Sequence, residues 1–242
     1  MRQRMHLSRT MSVVGLLFLA PLLRAHPQDM DVQAQIKISR PDGPKAAAHH
    51  PSSNVVLWLN RVSYDASAPN DPAPPGHFRM VQKNKSFDPH LLVVPLGSSI
   101  EFPNLDPFFH NVFSQFNGKR FDLGLYEAGS TKVVRFDHEG ISYLFCNIHP
   151  EMGAVIITLS TPYFAVASGG GNIVLHNVPD GTYEMHVWAE GADPKQLESL
   201  ARRVHIAPSQ RDIGVIRLVA SGTLPAHKNK FGEDYKPDKS PY

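Results

Sequence analysis

Ser142-Tyr-Leu-Phe-Cys146-Asn-Ile-His149-Pro-Glu-Met152 is the stretch on which the reading of this 242-residue chain turns. A β-type run ends on the only cysteine, and an imidazole and a thioether follow at the spacing Cys-x2-His-x2-Met. Each of these residue types, taken singly, is ordinary core material. Together they are a thiolate, an imidazole and a thioether within seven residues. That donor set suits copper and its Cu(I)/Cu(II) couple better than zinc, which rarely recruits methionine, or magnesium and calcium, which take oxygen. A trigonal His2Cys site with a weak axial Met needs one more imidazole. His110, which follows Pro103-Asn-Leu-Asp-Pro-Phe-Phe at the start of an expected strand, is the candidate.

Outward from this stretch, β signals recur at short spacing: Phe78-Arg-Met-Val81, Leu91-Leu-Val-Val94, Ser99-Ile-Glu-Phe102, Asn111-Val-Phe-Ser-Gln-Phe116, Lys132-Val-Val-Arg-Phe136, the run before Cys146, and Ala154-Val-Ile-Ile-Thr-Leu159. Turn residues separate nearly all of them, as in a β-sandwich or barrel. A proline-rich stretch over 65–76 marks a boundary before this unit. Val32-Gln-Ala-Gln-Ile-Lys-Ile38 and Asn54-Val-Val-Leu-Trp-Leu-Asn60 are expected strands before it. After it come Tyr163-Phe-Ala-Val166, Asn172-Ile-Val-Leu175, Tyr183-Glu-Met-His-Val-Trp188 and strands within 204–206 and 213–219. Gly169-Gly-Gly171 reads as a hairpin turn. Asp193-Pro194 reads as the cap and first turn of a short helix with Leu197, Leu200 and Ala201 on one face. Residues 221–242 lack periodicity and are expected to be disordered or laid over a surface.

Composition agrees with an all-β chain: 21 Pro and 17 Gly with 19% charged residues favour short strands and many turns over helical bundles. A single cysteine excludes an internal disulfide framework, a cysteine-only zinc cage and a thiolate-held iron–sulfur cluster. Residues 1–25 carry four Arg and no acid, then an apolar run and Ala25, the order of a secretory signal peptide. Its removal takes the formal charge from +2 to −2, so nucleic acid is not an expected partner. No later stretch is long and apolar enough to span a membrane. A periplasmic or secreted protein is expected, in which a lone thiol is an oxidation liability unless it ligates a metal.

With these motifs in hand, residues 77–160 resemble a cupredoxin of the plastocyanin/amicyanin type. Phe87-x-Pro89-x-Leu91-x-Val93 and Gly97-x-x-Ile100-x-Phe102-x-Asn104 resemble its early strands. Asp106 with His110-Asn111-Val112 resembles the first-ligand motif, and Tyr143-x-Phe145-Cys146-x-x-His149-x-x-Met152 the ligand loop. The chain as a whole is similar to exported bacterial "methylamine utilisation" or plastocyanin-like proteins. The resemblance implies one copper ion, Cu+/Cu2+, held by His110, Cys146, His149 and axial Met152. It implies that Asn111 ties the two ligand loops together, and that Phe108, Phe109, Pro150 and Gly153 form an apolar rim where a redox partner docks near His149. Residues 172–187 resemble the second half of a carboxypeptidase-regulatory, transthyretin-like β-sandwich, and 36–44 with 54–59 its first half.

The resulting expectation is all-β: a cupredoxin Greek-key β-sandwich plus a second, transthyretin-like β-sandwich. Residues 1–25 are the signal peptide, 26–75 the first half of the outer sandwich, 77–160 the inserted cupredoxin, 161–220 the second half and 221–242 a tail. No histidine flanks Cys146, so the His-Cys-His bridge of a multicopper oxidase is missing. One cysteine cannot build a binuclear centre, and no nucleophile with its base or phosphate-binding loop is present. No catalytic residue is assigned and no enzyme is expected. The function implied is single-electron transfer. The alternatives are a carrier or store delivering Cu(I), and a non-catalytic interaction protein. His49-His50 and His26 carry little weight as further ligands.

Overall fold

The computed structural model describes residues 29–40, 54–62, 72–115, 118–224 and 226–235. The expected signal peptide, His26, His49-His50 and most of the proline-rich stretch lie outside the described residues.

In chain order, β1 (Met30–Ser39) and β2 (Val55–Arg61) precede a group of ten strands. These are β3 (His77–Arg79), β4 (Val81–Lys83), β5 (Ser86–Asp88), β6 (Leu91–Pro95), β7 (Ser98–Pro103), β8 (His110–Ser114), β9 (Phe121–Tyr126), β10 (Thr131–Phe136), β11 (Gly140–Phe145) and β12 (Gly153–Leu159). Then follow β13 (Phe164–Val166), β14 (Asn172–Val178), β15 (Gly181–Ala189), α1 (Pro194–Leu200), β16 (Arg202–Ile206) and β17 (Asp212–Val219). The spacing of β signals indicated about seven strands between residues 78 and 160. The difference lies in β5, in β9, and in the division of one expected strand into β3 and β4.

The ten-strand group forms two sheets, β10-β7-β3 and β6-β12-β11-β8-β9, with β4-β5 as a separate hairpin. Their facing residues, among them Ile100, Phe102, Phe136, Leu144 and Ile156, share one buried apolar cluster. The flanking segments pair with each other. β1 lies between β14 and β17, and β2 lies between β13 and β15, with β16 at the edge. A second cluster, including Val32, Ile36, Leu57, Leu175 and Tyr183, lies among these sheets. The all-β expectation therefore holds, with two packed β units and one short helix.

Alternation explains which strands are buried twice. In β12, Ala154 and Ile156 belong to the cluster of the ten-strand group, while Val155, Ile157 and Leu159 belong to a third cluster with Val56 and Trp188. In β2, Val55, Leu57 and Leu59 join the second cluster while Val56 joins the third. A strand covered on both faces reads as an unbroken apolar run, as Ala154-Val-Ile-Ile and Val55-Val-Leu-Trp do. The third cluster is thus the seam between the units. Burying each of its large side chains contributes on the order of 1.5–3 kcal/mol.

The expected helix is present, with the Asp193 carboxylate accepting from Lys195 N–H at 3.0 Å. Gly169-Gly-Gly171 does form a turn, with Gly171 N–H donating to Ser168 O at 2.7 Å. It is not a hairpin of one sheet: it passes the chain from β13, beside β2, to β14, beside β1. Gly171 has φ 79°, and a Cβ there would stand 2.4 Å from Ile36 O. This turn therefore packs directly against β1.

Candidate metal centre

β11 and β12 form an antiparallel hairpin whose last pair is Phe145 with Gly153, and residues 146–152 are its connecting loop. β8 lies beside β11, with Phe113 opposite Phe145, which brings His110 at the start of β8 to the same end of the sandwich. The two sequence motifs, 36 residues apart between His110 and Cys146, meet there.

Cys146 Sγ lies 3.6 Å from His149 Nδ1 and 3.8 Å from His110 Nδ1, and the two Nδ1 atoms are 3.1 Å apart. A triangle with those sides has a point about 2.0 Å from every corner, close to the length of metal–imidazole and metal–thiolate bonds. Cys146 and His110 are fully buried and His149 is 7% exposed. Met152 is fully buried in the same apolar cluster as Cys146. Its N–H donates to His149 O at 3.1 Å and its carbonyl accepts from Cys146 N–H at 3.3 Å, closing the loop. Of the four residues expected from sequence, His110, Cys146 and His149 converge, and Met152 anchors the loop's far end. This donor chemistry fits a single soft or borderline cation.

Each donor is held from behind. His110 Nε2 lies 2.8 Å from Asp106 Oδ2, so the ring donates there and presents the Nδ1 lone pair to the centre. Asp106 also accepts from the N–H groups of Asn84, at 2.6 Å, and Lys85, at 2.9 Å. Both residues sit in the β4–β5 turn with φ near 55°, which aims their amides at the carboxylate. Burial works to raise the Asp106 pKa, but the Lys85 N–H, His110 and the Asn84 N–H outweigh it and hold the carboxyl below its ordinary range. Burial pushes the His110 pKa down, against the pull of Asp106. Asn104, fully buried, donates to Phe108 O at 2.7 Å and accepts from Asp106 N–H at 3.1 Å, fixing the loop that leads into His110. Phe108 sets its ring against both imidazoles, with centroids 5.1 Å from His110 and 5.6 Å from His149.

Burial raises the Cys146 thiol pKa, while the backbone N–H groups of Asn111, Ile148 and His149 hydrogen-bond the sulfur and pull the other way. The amides offset the burial in part, and on balance the metal-free site favours the neutral thiol. The Asn111 side chain departs from expectation: it donates to Asp122 Oδ1 at 2.7 Å and Gly124 O at 3.0 Å in β9 and does not bridge to the cysteine loop. It is the Asn111 backbone that reaches the sulfur.

Phe109 and Ile148, each next to a donor histidine, are 55% and 41% exposed. Of the other expected rim residues, Pro150 is exposed as well, with its carbonyl accepting from His227 Nε2 at 3.1 Å, and Gly153 is half-buried, with Leu224 where a Cβ on it would be. Sequence reasoning quoted Asp106 and Asn104 as motif positions without seeing what they bond. The signal available was a carboxylate four residues before a candidate ligand.

No protein-family model and no curated protein matches the chain. Among solved structures, a purple cupredoxin from Nitrosopumilus maritimus is 20% identical, covering 34% of this chain and 98% of its own, with a TM-score of 0.31. A Cu-containing nitrite reductase from Thermus scotoductus SA-01 is 22% identical over 50% of this chain and 28% of its own length, with a TM-score of 0.32. A mutant of amicyanin in its Cu(I) form is 14% identical over 35% of this chain and 83% of its own, with a TM-score of 0.31. The ten-strand group is a two-sheet β-sandwich that gathers His110, Cys146 and His149 at one end.

Proposed function

We propose that this protein is an exported one-electron carrier in which His110, Cys146 and His149, with the thioether of Met152, would hold a single copper ion. The observation that carries the reading is the convergence of one Sγ and two Nδ1 atoms, 3.1–3.8 Å apart, in a buried site. Copper bound there would supply a reversible one-electron couple. The chain's own residues do the rest. Asp106 fixes the His110 tautomer and ring orientation. The amides of Asn111, Ile148 and His149 stabilise a thiolate. Phe108 and the sandwich core keep water out, and the paired strands on both sides hold the donors in one arrangement. A site that moves little suits a metal that changes charge without changing ligands.

Delivery of Cu(I) needs an incoming ligand to reach the ion, and donors that are buried do not favour such an exchange. In this reading the Cys146 thiolate and both imidazoles are taken up by the ion, and the carrier acts without turning over a substrate. Phe109 and Ile148 provide apolar surface beside the histidines for a redox partner. Residues 1–25 would direct export to the periplasm or beyond. Among the described residues, no helix is long and apolar enough to cross a membrane. Residues 26–75 and 161–220 form the outer sandwich in this reading, with 77–160 inserted between them.

The test is voltammetry of the copper-loaded protein. A reversible one-electron wave with unchanged copper content over repeated cycles supports the carrier. Tight Cu(I) binding with no reversible wave would replace it with the delivery role.

A further inference from the structure

Residues 226–235 lie across the loop that carries three of the four proposed donors. Tyr235 OH donates to the Cys146 carbonyl at 2.9 Å and lies 3.2 Å from His227 Nδ1. The His227 ring stacks on Phe145, with centroids 3.7 Å apart, while its Nε2 donates to the Pro150 carbonyl. Lys230 N–H donates to Asn147 Oδ1 at 2.9 Å, and Gln115, just beyond β8, donates to Lys230 O at 2.7 Å. Lys230 Nζ reaches Asp122 Oδ2 at 2.7 Å, and the other oxygen of that carboxylate accepts from Asn111, next to His110. The segment has its own fold: Asn229 Oδ1 accepts from the N–H groups of Phe231 and Glu233 at 2.9 and 3.0 Å.

We propose that residues 226–235 are a strap that positions the donor set, with Tyr235 and His227 setting the Cys146 loop and Lys230 tying that loop to the His110 strand. Within residues 146–152 two backbone-to-backbone hydrogen bonds brace the loop, from Cys146 N to Met152 O and from Met152 N to His149 O. The carbonyls of Cys146 and Pro150 point outward and are met by the strap instead. The strap spans both sides of the site, because Lys230 grips Asn147 in the loop and, through Asp122 and Asn111, the strand of His110. Release of the Cys146 carbonyl frees the backbone that places Sγ against both Nδ1 atoms. Tyr235 and His227 touch no proposed donor atom, so they are positioning residues.

The position of Sγ is read first in metal-free protein, by the rate at which iodoacetamide alkylates Cys146 under native conditions. Tyr235→Phe removes one hydrogen bond and raises that rate about fivefold, the worth of a net hydrogen bond. Lys230→Met raises it as well. Tyr183→Phe removes a like hydrogen bond, to the Pro179 carbonyl of the other unit, and leaves the rate at the wild-type value. Rates equal to wild type in Tyr235→Phe and Lys230→Met overturn the strap, and so does an equal rise in Tyr183→Phe.

A second arm rests on the copper reading. In copper-loaded protein, Tyr235→Phe shifts the thiolate-to-copper absorption and quickens copper loss to a chelator, and Tyr183→Phe does neither. A colourless loaded wild type sinks the copper reading alone, and the alkylation rates still decide the strap.

Discussion

Asp106 shows how a residue that touches no metal can govern one that would. Its carboxylate sits 2.8 Å from His110 Nε2 and is held by two amides of the β4–β5 turn, so the imidazole has one orientation and one free lone pair. Asp106→Asn, similar in shape but uncharged, is expected to lower copper affinity about 10–100-fold, as losses behind a metal-bound histidine commonly do. Competition with a chelator measures this, and an affinity within twofold of wild type would remove Asp106 from the account. The proposed donors were legible as a cluster in the sequence because three lie within seven residues and His110 opens a strand. The partners of Asp106 were not, because Asn84 and Lys85 are 21–22 residues away and contribute backbone, which no side-chain pattern announces.

Between elements, legibility followed periodicity. β1 alternates along its length and was plain, as were the twice-buried runs of β2 and β12. β9 was missed because Gly124, at φ 67°, interrupts it and its register with β8 shifts between Asn111 and Phe113. The C-terminal segment, expected to be disordered or laid over a surface, lies over one, but where it lies was not legible: its order comes from side-chain bonds to the loop beneath it, and no core face repeats along it. What β12 contributes can be measured directly. Ile157, fully buried on the seam face, touches the other unit's cluster and none of the donors. Ile157→Ala is expected to cost about 2–5 kcal/mol by the loss of buried methylenes and the cavity left behind. Denaturant unfolding checks it, with the copper site's spectrum unchanged in the folded protein. A cost below about 0.5 kcal/mol, typical of surface positions, would mean the seam is not packed.

At the scale of the molecule, two β units meet on an apolar seam closed by polar contacts. Trp188 Nε1 donates to Tyr143 OH at 3.2 Å, and the buried Glu190 carboxylate meets His90 Nε2 at 2.7 Å and the Asn54 side chain. Glu190 follows β15 in one unit and His90 precedes β6 in the other. The Glu190 hydrogen bond raises the His90 pKa above its ordinary value, burial opposes it, and the charge of Glu190 and a backbone bond to Gly153 add to the rise. A raised folded-state pKa stabilises fully below the unfolded value of about 6.5 and loses that contribution as pH climbs through the folded value. The melting temperature of wild type relative to His90→Gln is therefore expected to be highest below about pH 6.5 and to fall as pH rises above it. A difference that stays flat as pH rises would detach the pair from the seam's stability.

Whether Cys146 and the two histidines form one copper site is tested by Cu(II) titration of wild type beside Cys146→Ser, followed by visible absorption and electron paramagnetic resonance. Wild type is expected to show an intense thiolate-to-copper band, saturating at one equivalent and bleaching reversibly on reduction, and Cys146→Ser no such band. Copper binding with the same colour in Cys146→Ser, or a copper-loaded wild type with no thiolate band, would contradict that site.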